Sequence, residues 1–309
     1  MKLISIVTHC FNEEGNVGPL YTRVREIFQK LGTYRYEHIF IDNASTDGTQ
    51  AALKKLAASD SNVKVILNTR NFGVVRSAYH GFLQAGGDAV IPIAADLQDP
   101  PELINDFLRE WKKGSLVVLG IKNRSEEPGL MFAVRKLYYK IIGSLAEIKI
   151  NQNSTGFGLY DRKTLVELKK WEDPYPFFRG LVSELGFEPA KVEYSQPVRK
   201  RGVSTNNFYT LYDMGVHGLI SHSKVPLRLA IFIGFFLAIV NLIVALGYFV
   251  YKLLYWNSFS MGIAPAVIGL FFFSSVQLIF LGILGEYIAA IYTQTRKRPL
   301  VIEKERINF

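Results

Sequence analysis

The sequence predicts an α/β protein, a Rossmann-like and mostly parallel sheet with crossover helices, followed by two membrane-spanning helices. Three observations predict it. Apolar runs of strand length alternate with stretches of helical periodicity through the first part of the chain. Carboxylates, amides and basic residues collect where those runs end, which is where open parallel sheets bind ligands. The last third holds two long segments without a single charged residue.

The first strand is expected over residues 3–8, because Met1-Lys2-Leu3-Ile4-Ser5-Ile6-Val7 lacks the apolar block of a signal peptide and reads as a strand entering a core. Further strands are expected at 37–42, 63–67, 89–94 and 116–121, with helices at 16–31, 46–59, 74–85 and 101–112 between them. Residues 130–147 mix Arg135, Lys136 and Lys140 with Phe132, Leu137, Tyr138 and Ile141, which suits either an amphipathic helix at a membrane surface or ordinary core packing. Residues 206–226 read in the same two ways, and Pro226 marks a helix boundary. Residues 229–251 and 253–285 carry no charge. A span needs about 20 apolar residues, so helices are expected at about 229–251 and 263–290. The division that follows is a catalytic domain over 1–205, a juxtamembrane segment over 206–226, a membrane hairpin over 227–292 and a basic tail over 293–309.

Charge sets the orientation. Lys224 and Arg228 precede the first span, Arg296, Lys297, Arg298, Lys304 and Arg306 follow the second, and only Lys252 borders the connection between them. The positive-inside rule then puts both termini, and the large N-terminal domain, in the cytoplasm. A multi-pass protein of the inner (plasma) membrane is expected. The net charge of +9 over 309 residues suits a surface beside anionic lipid. Nucleic acid is not an expected partner, since no basic run interleaved with aromatics occurs in the soluble part. A single cysteine, Cys10, excludes an internal disulfide and a cysteine-based zinc site.

The chemistry concentrates in two segments. Ala94-Ala95-Asp96-Leu97-Gln98-Asp99-Pro100-Pro101-Glu102 places a carboxylate and an amide where a strand runs out into a loop. Oxygen donors of this kind suit hard cations such as Mg²⁺, which is often shared with substrate phosphates. Ile41-Asp42-Asn43-Ala44-Ser45-Thr46-Asp47-Gly48-Thr49 follows a strand and opens a helix. Asp42 can accept hydrogen bonds from a nucleobase or ribose, whereas Asp47 suits a helix cap or a turn. Asp99 reads as a loop or capping residue.

Together with Val7-Thr8-His9-Cys10-Phe11-Asn12-Glu13-Glu14-Gly15-Asn16, and with Gly285-Glu286-Tyr287-Ile288 running on to Arg298-Pro299, these segments resemble the ordered signatures of family 2 inverting glycosyltransferases. The membrane-bound branch, which makes polyprenyl-phosphate sugars, is the one resembled, and the likeness covers nearly the whole chain. It implies a family A glycosyltransferase fold, a nucleotide-sugar donor (UDP by default), a polyprenyl phosphate acceptor and a homo-oligomer, a tetramer among relatives. By motif position, Phe11, Glu13 and Asp42 would hold the nucleotide. Asp96, helped by Gln98, would bind Mg²⁺ or Mn²⁺ on the diphosphate. Lys122, Arg124 and Arg135 stand where related enzymes place cations on the lipid phosphate, and Arg201, with Lys200, could close over the site as a mobile loop and join them there.

The chain departs from the pattern at several positions. His9 stands where proline is commoner, Asn43 where many members have a second acid, and Ala95 where the synthase branch has the first acid of Asp-x-Asp. Some bacterial relatives carry Gly-Asp-Phe-Arg-Leu-Met-Asp-Arg, with its first Asp as proposed base. Here the run is Thr155-Gly156-Phe157-Gly158-Leu159-Tyr160-Asp161-Arg162, which puts Gly156 and Gly158 at the positions of that Asp and its Arg. Asp161 remains as a catalytic candidate, or else starts a helix. A side-chain base is dispensable in principle, because a phosphate monoester has a second pKa of about 6 and is largely dianionic near neutrality. The expected activity is metal-dependent, inverting transfer of one sugar to polyprenyl phosphate at the cytoplasmic face. A processive polysaccharide synthase is the first rival, although no Arg-Trp dipeptide of its Gln-x-x-Arg-Trp motif occurs. A non-catalytic membrane scaffold with the same fold is the second.

Overall fold

The computed structural model describes residues 1–124, 154–197, 224–255, 263–296 and 298–309. Arg135, Arg201, the expected helix at 130–147 and nearly all of the expected juxtamembrane segment at 206–226 lie outside the described residues.

Every element expected in the first part of the chain is present. Strands β1 (Leu3–Cys10), β2 (Arg35–Asp42), β3 (Val63–Asn68), β4 (Ala89–Pro92) and β5 (Val117–Arg124) alternate with helices α1 (Glu14–Leu31), α2 (Thr49–Ser59), α3 (Val74–Gln84) and α4 (Ile104–Lys112), the last preceded by a 3₁₀ turn at Pro101–Leu103. These strands read as near-continuous apolar runs because helices cover both faces of the sheet. Adjacent residues of β4 divide between the faces. Ile91 packs with Leu20, Val24 and Phe107 from α1 and α4, and Val90 packs with Tyr79 and Phe82 from α3.

Three strands were not expected: β6 (Ser154–Asp161), β7 (Ala190–Ser195) and β8 (Glu303–Ile307). The sheet order is β7-β5-β6-β4-β1-β2-β3-β8. Pairings of β4–β1, β1–β2, β2–β3 and β5–β7 are parallel, while β6 runs antiparallel to β4 and β5, and β8 antiparallel to β3. Helices α5 (Arg162–Lys169) and α6 (Phe178–Glu184) follow β6 and pack on the β4–β6 side. Gly158 lets β6 lie flat against β5, since a Cβ there would stand 2.2 Å from the Val118 carbonyl oxygen.

Helices α7 (Val225–Leu254) and α8 (Ile263–Thr295) extend the expected spans by a few residues at their ends. Both are long and apolar enough to cross a membrane, with mean hydropathy of 2.9 and 1.7 over their candidate spans and no burial among the described residues of those spans. A core helix of a soluble protein would be covered; here Phe232 and Leu242 are each 70% exposed.

The basic tail expected over 293–309 is corrected. Its last part is β8, an edge strand of the catalytic sheet. Val65 pairs with Ile307 and Leu67 with Glu305. Asn308 donates to the carbonyls of Ala57 (2.8 Å) and Val63 (2.9 Å), Lys54 bonds Glu305 at 2.6 Å, and the Thr69 amide donates to the Ile302 carbonyl at 2.9 Å. The sequence concealed this strand because its alternating charges are what a solvent-facing edge requires. Glu303 bonds His80 at 2.5 Å and also Arg306. The Arg306 guanidinium first, against the opposing effect of burial, and then His80 hold its carboxyl below the ordinary value of 4.5. A depressed carboxylate contributes stability above its unfolded pKa and loses it as pH falls through the folded one. Hydrogen exchange of the β8 amides is therefore expected to be unchanged from pH 7 down to about 5 after correction for intrinsic rates, and to accelerate below about 4.5. In Glu303→Gln that acceleration is expected to be smaller.

Candidate active site

Because β1, β2, β4 and β5 point the same way, their carboxyl ends meet at one edge of the sheet. A cleft of about 430 Å³ opens there. Asp96 and Gln98 from the loop after β4, and Lys122 near the end of β5, all line it. Three residues in the loops at this edge hold positive φ without being glycine: Asn12 (57°), Ala44 (60°) and Leu97 (62°). Such conformations persist where surrounding contacts over-determine them, and they cluster at functional sites.

The contacts that hold those loops are visible. The Asn12 amide donates to Ser45 Oγ (2.8 Å), and Asn12 Oδ1 accepts from the Thr46 amide (2.8 Å). The Glu13 amide donates to Thr49 Oγ1 (2.9 Å), and Glu13 Oε2 accepts from Asn16 Nδ2 (2.5 Å). Asp47 shapes the turn as expected, accepting from the Thr49 amide at 3.0 Å. Phe11 stands half-buried at the end of β1. Asp42 is fully buried. Its Oδ2 accepts from the Ser45 amide (3.1 Å) and Gln50 Nε2 (2.8 Å), while its Oδ1 is buried with no partner. A buried carboxylate oxygen left unpaired costs free energy, and a donor from a ligand would satisfy it.

The loop after β4 is fastened by Asp99, the loop role of the two that the sequence offered, with no cap bond to the following turn. It accepts from the Ala94 amide (3.3 Å) and from Tyr194 Oη (3.2 Å). Burial pushes its carboxyl up to about 6, with Asp96 adding to the rise and Lys122 opposing it. Lys122 Nζ donates to Gln196 Oε1 at 2.6 Å. Asp96 Oδ1 accepts from the Gln98 amide at 3.1 Å. His9, also in the cleft, has its pKa lowered by burial against an opposing pull from Asp96. Among the described residues no three His, Cys, Asp or Glu side chains group as a metal cage. The donor set is instead an open one of oxygens, a carboxylate and an amide, which fits a hard cation completed by phosphate and water. Arg124 ends β5 at the same edge of the sheet.

Asp161 is not part of this cleft, a correction to its catalytic candidacy. β6 runs against β4, so its start enters the site and its end leaves it. Ser154 pairs with Ile121 near the cleft, while Asp161 pairs with Ala89 at the far end of β4. There Asp161 caps α5 through the Lys163 amide (2.8 Å) and accepts from Trp111 Nε1 (2.7 Å). Asp161→Ala is expected to lower the unfolding midpoint by about 2–4 °C, from the loss of about 1 kcal/mol of capping. Turnover at 25 °C is expected to stay within about twofold of the parent; a loss beyond tenfold would restore a catalytic role.

The entering half of β6 brings the start of the 155–162 run to the cleft, and with it two residues, Arg179 and Gln196, that no motif announced. Gly156, at φ 94°, and Thr155 line the cleft. A Cβ at Gly156 would lie 3.2 Å from the ring of Phe178, which occupies the space beside it. Arg179 on α6 lines the same wall and bonds the Ser154 carbonyl at 3.2 Å. Gln196, after β7, completes it.

Comparison with known proteins adds the family. The sequence model described as Glycosyl transferase family 2 matches residues 5–168. A bactoprenol glucosyl transferase of Shigella phage SfII is 35% identical over 303 residues, covering 98% of this chain and 97% of that protein. A prophage bactoprenol glucosyl transferase homolog of Escherichia coli (strain K12) is 33% identical over 302 residues, covering 97% and 98%. Among solved structures, the mannosyltransferase PcManGT from Pyrobaculum calidifontis, in complex with GDP-Man and Mn²⁺, is 14% identical with a TM-score of 0.46, covering 96% of this chain and 87% of that one.

Proposed function

The chain belongs to glycosyl transferase family 2, and we propose that it moves one sugar from a nucleotide-diphosphate sugar, a UDP-sugar by resemblance, to polyprenyl phosphate at the cytoplasmic face of the membrane. The acceptor follows from the full-length similarity to bactoprenol glucosyl transferases. The observation that carries the reading is the convergence of Asp96, Gln98 and Lys122 on one cleft at the carboxyl edge of the sheet.

The donor's nucleoside would lie over Phe11, with the unpaired Oδ1 of Asp42 accepting from its base or ribose and Glu13 beside it. Asp96 and Gln98 would hold Mg²⁺ or Mn²⁺, which supplies Lewis-acid neutralisation of the departing diphosphate. Lys122, joined by Arg124 and by Arg135 and Arg201, would draw the acceptor phosphate to the face of the sugar opposite the diphosphate. One phosphate oxygen forms the new bond to the anomeric carbon as the bond to the diphosphate oxygen breaks, which inverts the configuration. The attacking phosphate is largely dianionic near neutral pH. Proximity and charge compensation then carry the step without a carboxylate base, which agrees with the remote position of Asp161.

The membrane arrangement rests on β8. Residues before α7 and after α8 lie in the same sheet, so a hairpin of two spans enters and leaves the bilayer on one side. The positive flanks make that side cytoplasmic. Purified full-length protein in lipid nanodiscs, given radiolabelled nucleotide sugars and undecaprenyl phosphate, is expected to form a lipid carrying one sugar and to stop when a chelator is added. Absence of labelled lipid with every common donor, or polymer in its place, would reject the reading.

A further inference from the structure

Outside the cleft, three guanidinium groups gather where the chain leaves α8 and re-enters the sheet. Arg70 follows β3, Arg76 lies in the first turn of α3, and Arg298 stands between α8 and β8. The buried ring of Phe72 underlies two of them, with the guanidinium carbon of Arg70 at 4.0 Å from its centroid and that of Arg76 at 5.6 Å. Arg76 Nη2 donates to the Pro299 carbonyl at 2.6 Å, which brings Arg298 alongside. Arg70 spends one bond on the Asn71 carbonyl, at 3.0 Å.

Among the described residues none of the three forms an ion pair with a carboxylate. The electrostatic neighbours of Arg76 are Arg70 and Arg298, both of which oppose its charge, and Tyr175 on the cleft wall. Its Nε is buried without a hydrogen-bond partner. Like charges held together around one ring, with a donor unsatisfied, disfavour the empty arrangement and favour an anion. Guanidinium pairs match the oxygens of a phosphate group in geometry and charge. The height in the fold narrows the ligand further. The apolar span of α8, Gly269–Thr295, ends just before Arg298, so in the membrane arrangement proposed above the cluster would stand at the level of lipid headgroups.

We propose that Arg76 and Arg298, with Arg70 beside them, form a phosphate-binding site at the membrane surface, separate from the sugar-transfer cleft. The ligand is a phosphate mono- or diester, supplied by an anionic headgroup or by a free ion. An occupied site would pin the re-entry of the chain from α8 to the start of α3, whose next residues, Val75 and Ala78, line the cleft.

Detergent-solubilised full-length protein, followed by its unfolding midpoint, tests this. Dihexanoyl phosphatidylglycerol is expected to raise the midpoint saturably, and dihexanoyl phosphatidylcholine to give no saturable rise. The half-saturating concentration of phosphatidylglycerol is expected to increase about tenfold in Arg76→Gln and in Arg298→Gln, the effect of losing one charge-assisted hydrogen bond. Inorganic phosphate acting through the same two arginines as strongly as the lipid would support the site and identify a soluble ion as its ligand. Arg76→Gln also gives up the bond to Pro299; if it fails to fold, Arg298→Gln, whose side chain makes no hydrogen bond among the described residues, carries the test alone. UDP affinity is expected to be unchanged in both variants, which separates this site from the cleft. If phosphatidylglycerol, phosphatidylcholine and inorganic phosphate shift the parent and Arg298→Gln alike, the proposal fails.

Discussion

Asp96→Ala is expected to slow sugar transfer by about 100- to 1000-fold, because losing the carboxylate proposed to hold the divalent cation would forfeit about 3–4 kcal/mol of charge stabilisation on the departing diphosphate. The unfolding midpoint should barely move, since the loop after β4 is fastened by Asp99 through Ala94 and Tyr194. Three measurements separate a metal role from general damage. Chelation should bring the parent down to the rate of the variant. Raising Mn²⁺ should partly restore the variant, since diphosphate oxygens and water still coordinate the ion. Nucleotide affinity measured without metal should be equal in the two proteins. A variant that transfers sugar at more than half the parental rate would remove Asp96 from the site.

Deleting residues 299–309 is expected to have the largest effect on folding. The deletion removes β8 and bares the edge of β3 along Val65 to Asn68. It also takes away the bonds from Asn308, Lys54 and His80. Several backbone and side-chain bonds at about 1 kcal/mol each amount to on the order of 4 kcal/mol, which lowers the midpoint of a domain this size by about 10 °C. Substituting only the charges, with Lys54→Ala and Glu305→Ala together, should cost about 1 kcal/mol or less, as an exposed pair does. A truncated protein that melts with the parent would show that β8 contributes nothing to the fold.

The first half of the molecule was legible because β1 to β5 are runs buried on both faces, and the crossover helices between them repeat with helical period. The strands that escaped are those whose sequences obey another constraint. β6 carries Gly156 and Gly158, one for a positive φ beside Phe178 and one for close approach to β5. β7 is largely exposed or half-buried along its length. β8 is charged because it is an edge. The site divides in the same way. Asp42, Asp96, Gln98 and Lys122 follow strand ends, so alternation alone points to them. Arg179 and Gln196 reach the cleft only through the reversed direction of β6 and the addition of β7, and nothing local marks them. Asp161 sits on a motif-like run yet faces the wrong end of the sheet, since a strand's direction decides which of its termini meets the ligand.

The closing strand also orders events during synthesis. β8 leaves the ribosome after both apolar helices, so the edge of β3 stays uncovered until they have been made. Under the membrane arrangement proposed above, a chain whose hairpin is threaded the wrong way would hold residues 303–307 across the bilayer from that edge and leave the sheet incomplete. An uncovered strand edge invites aggregation and proteolysis. With that topology, correct insertion would be a condition for closing the sheet.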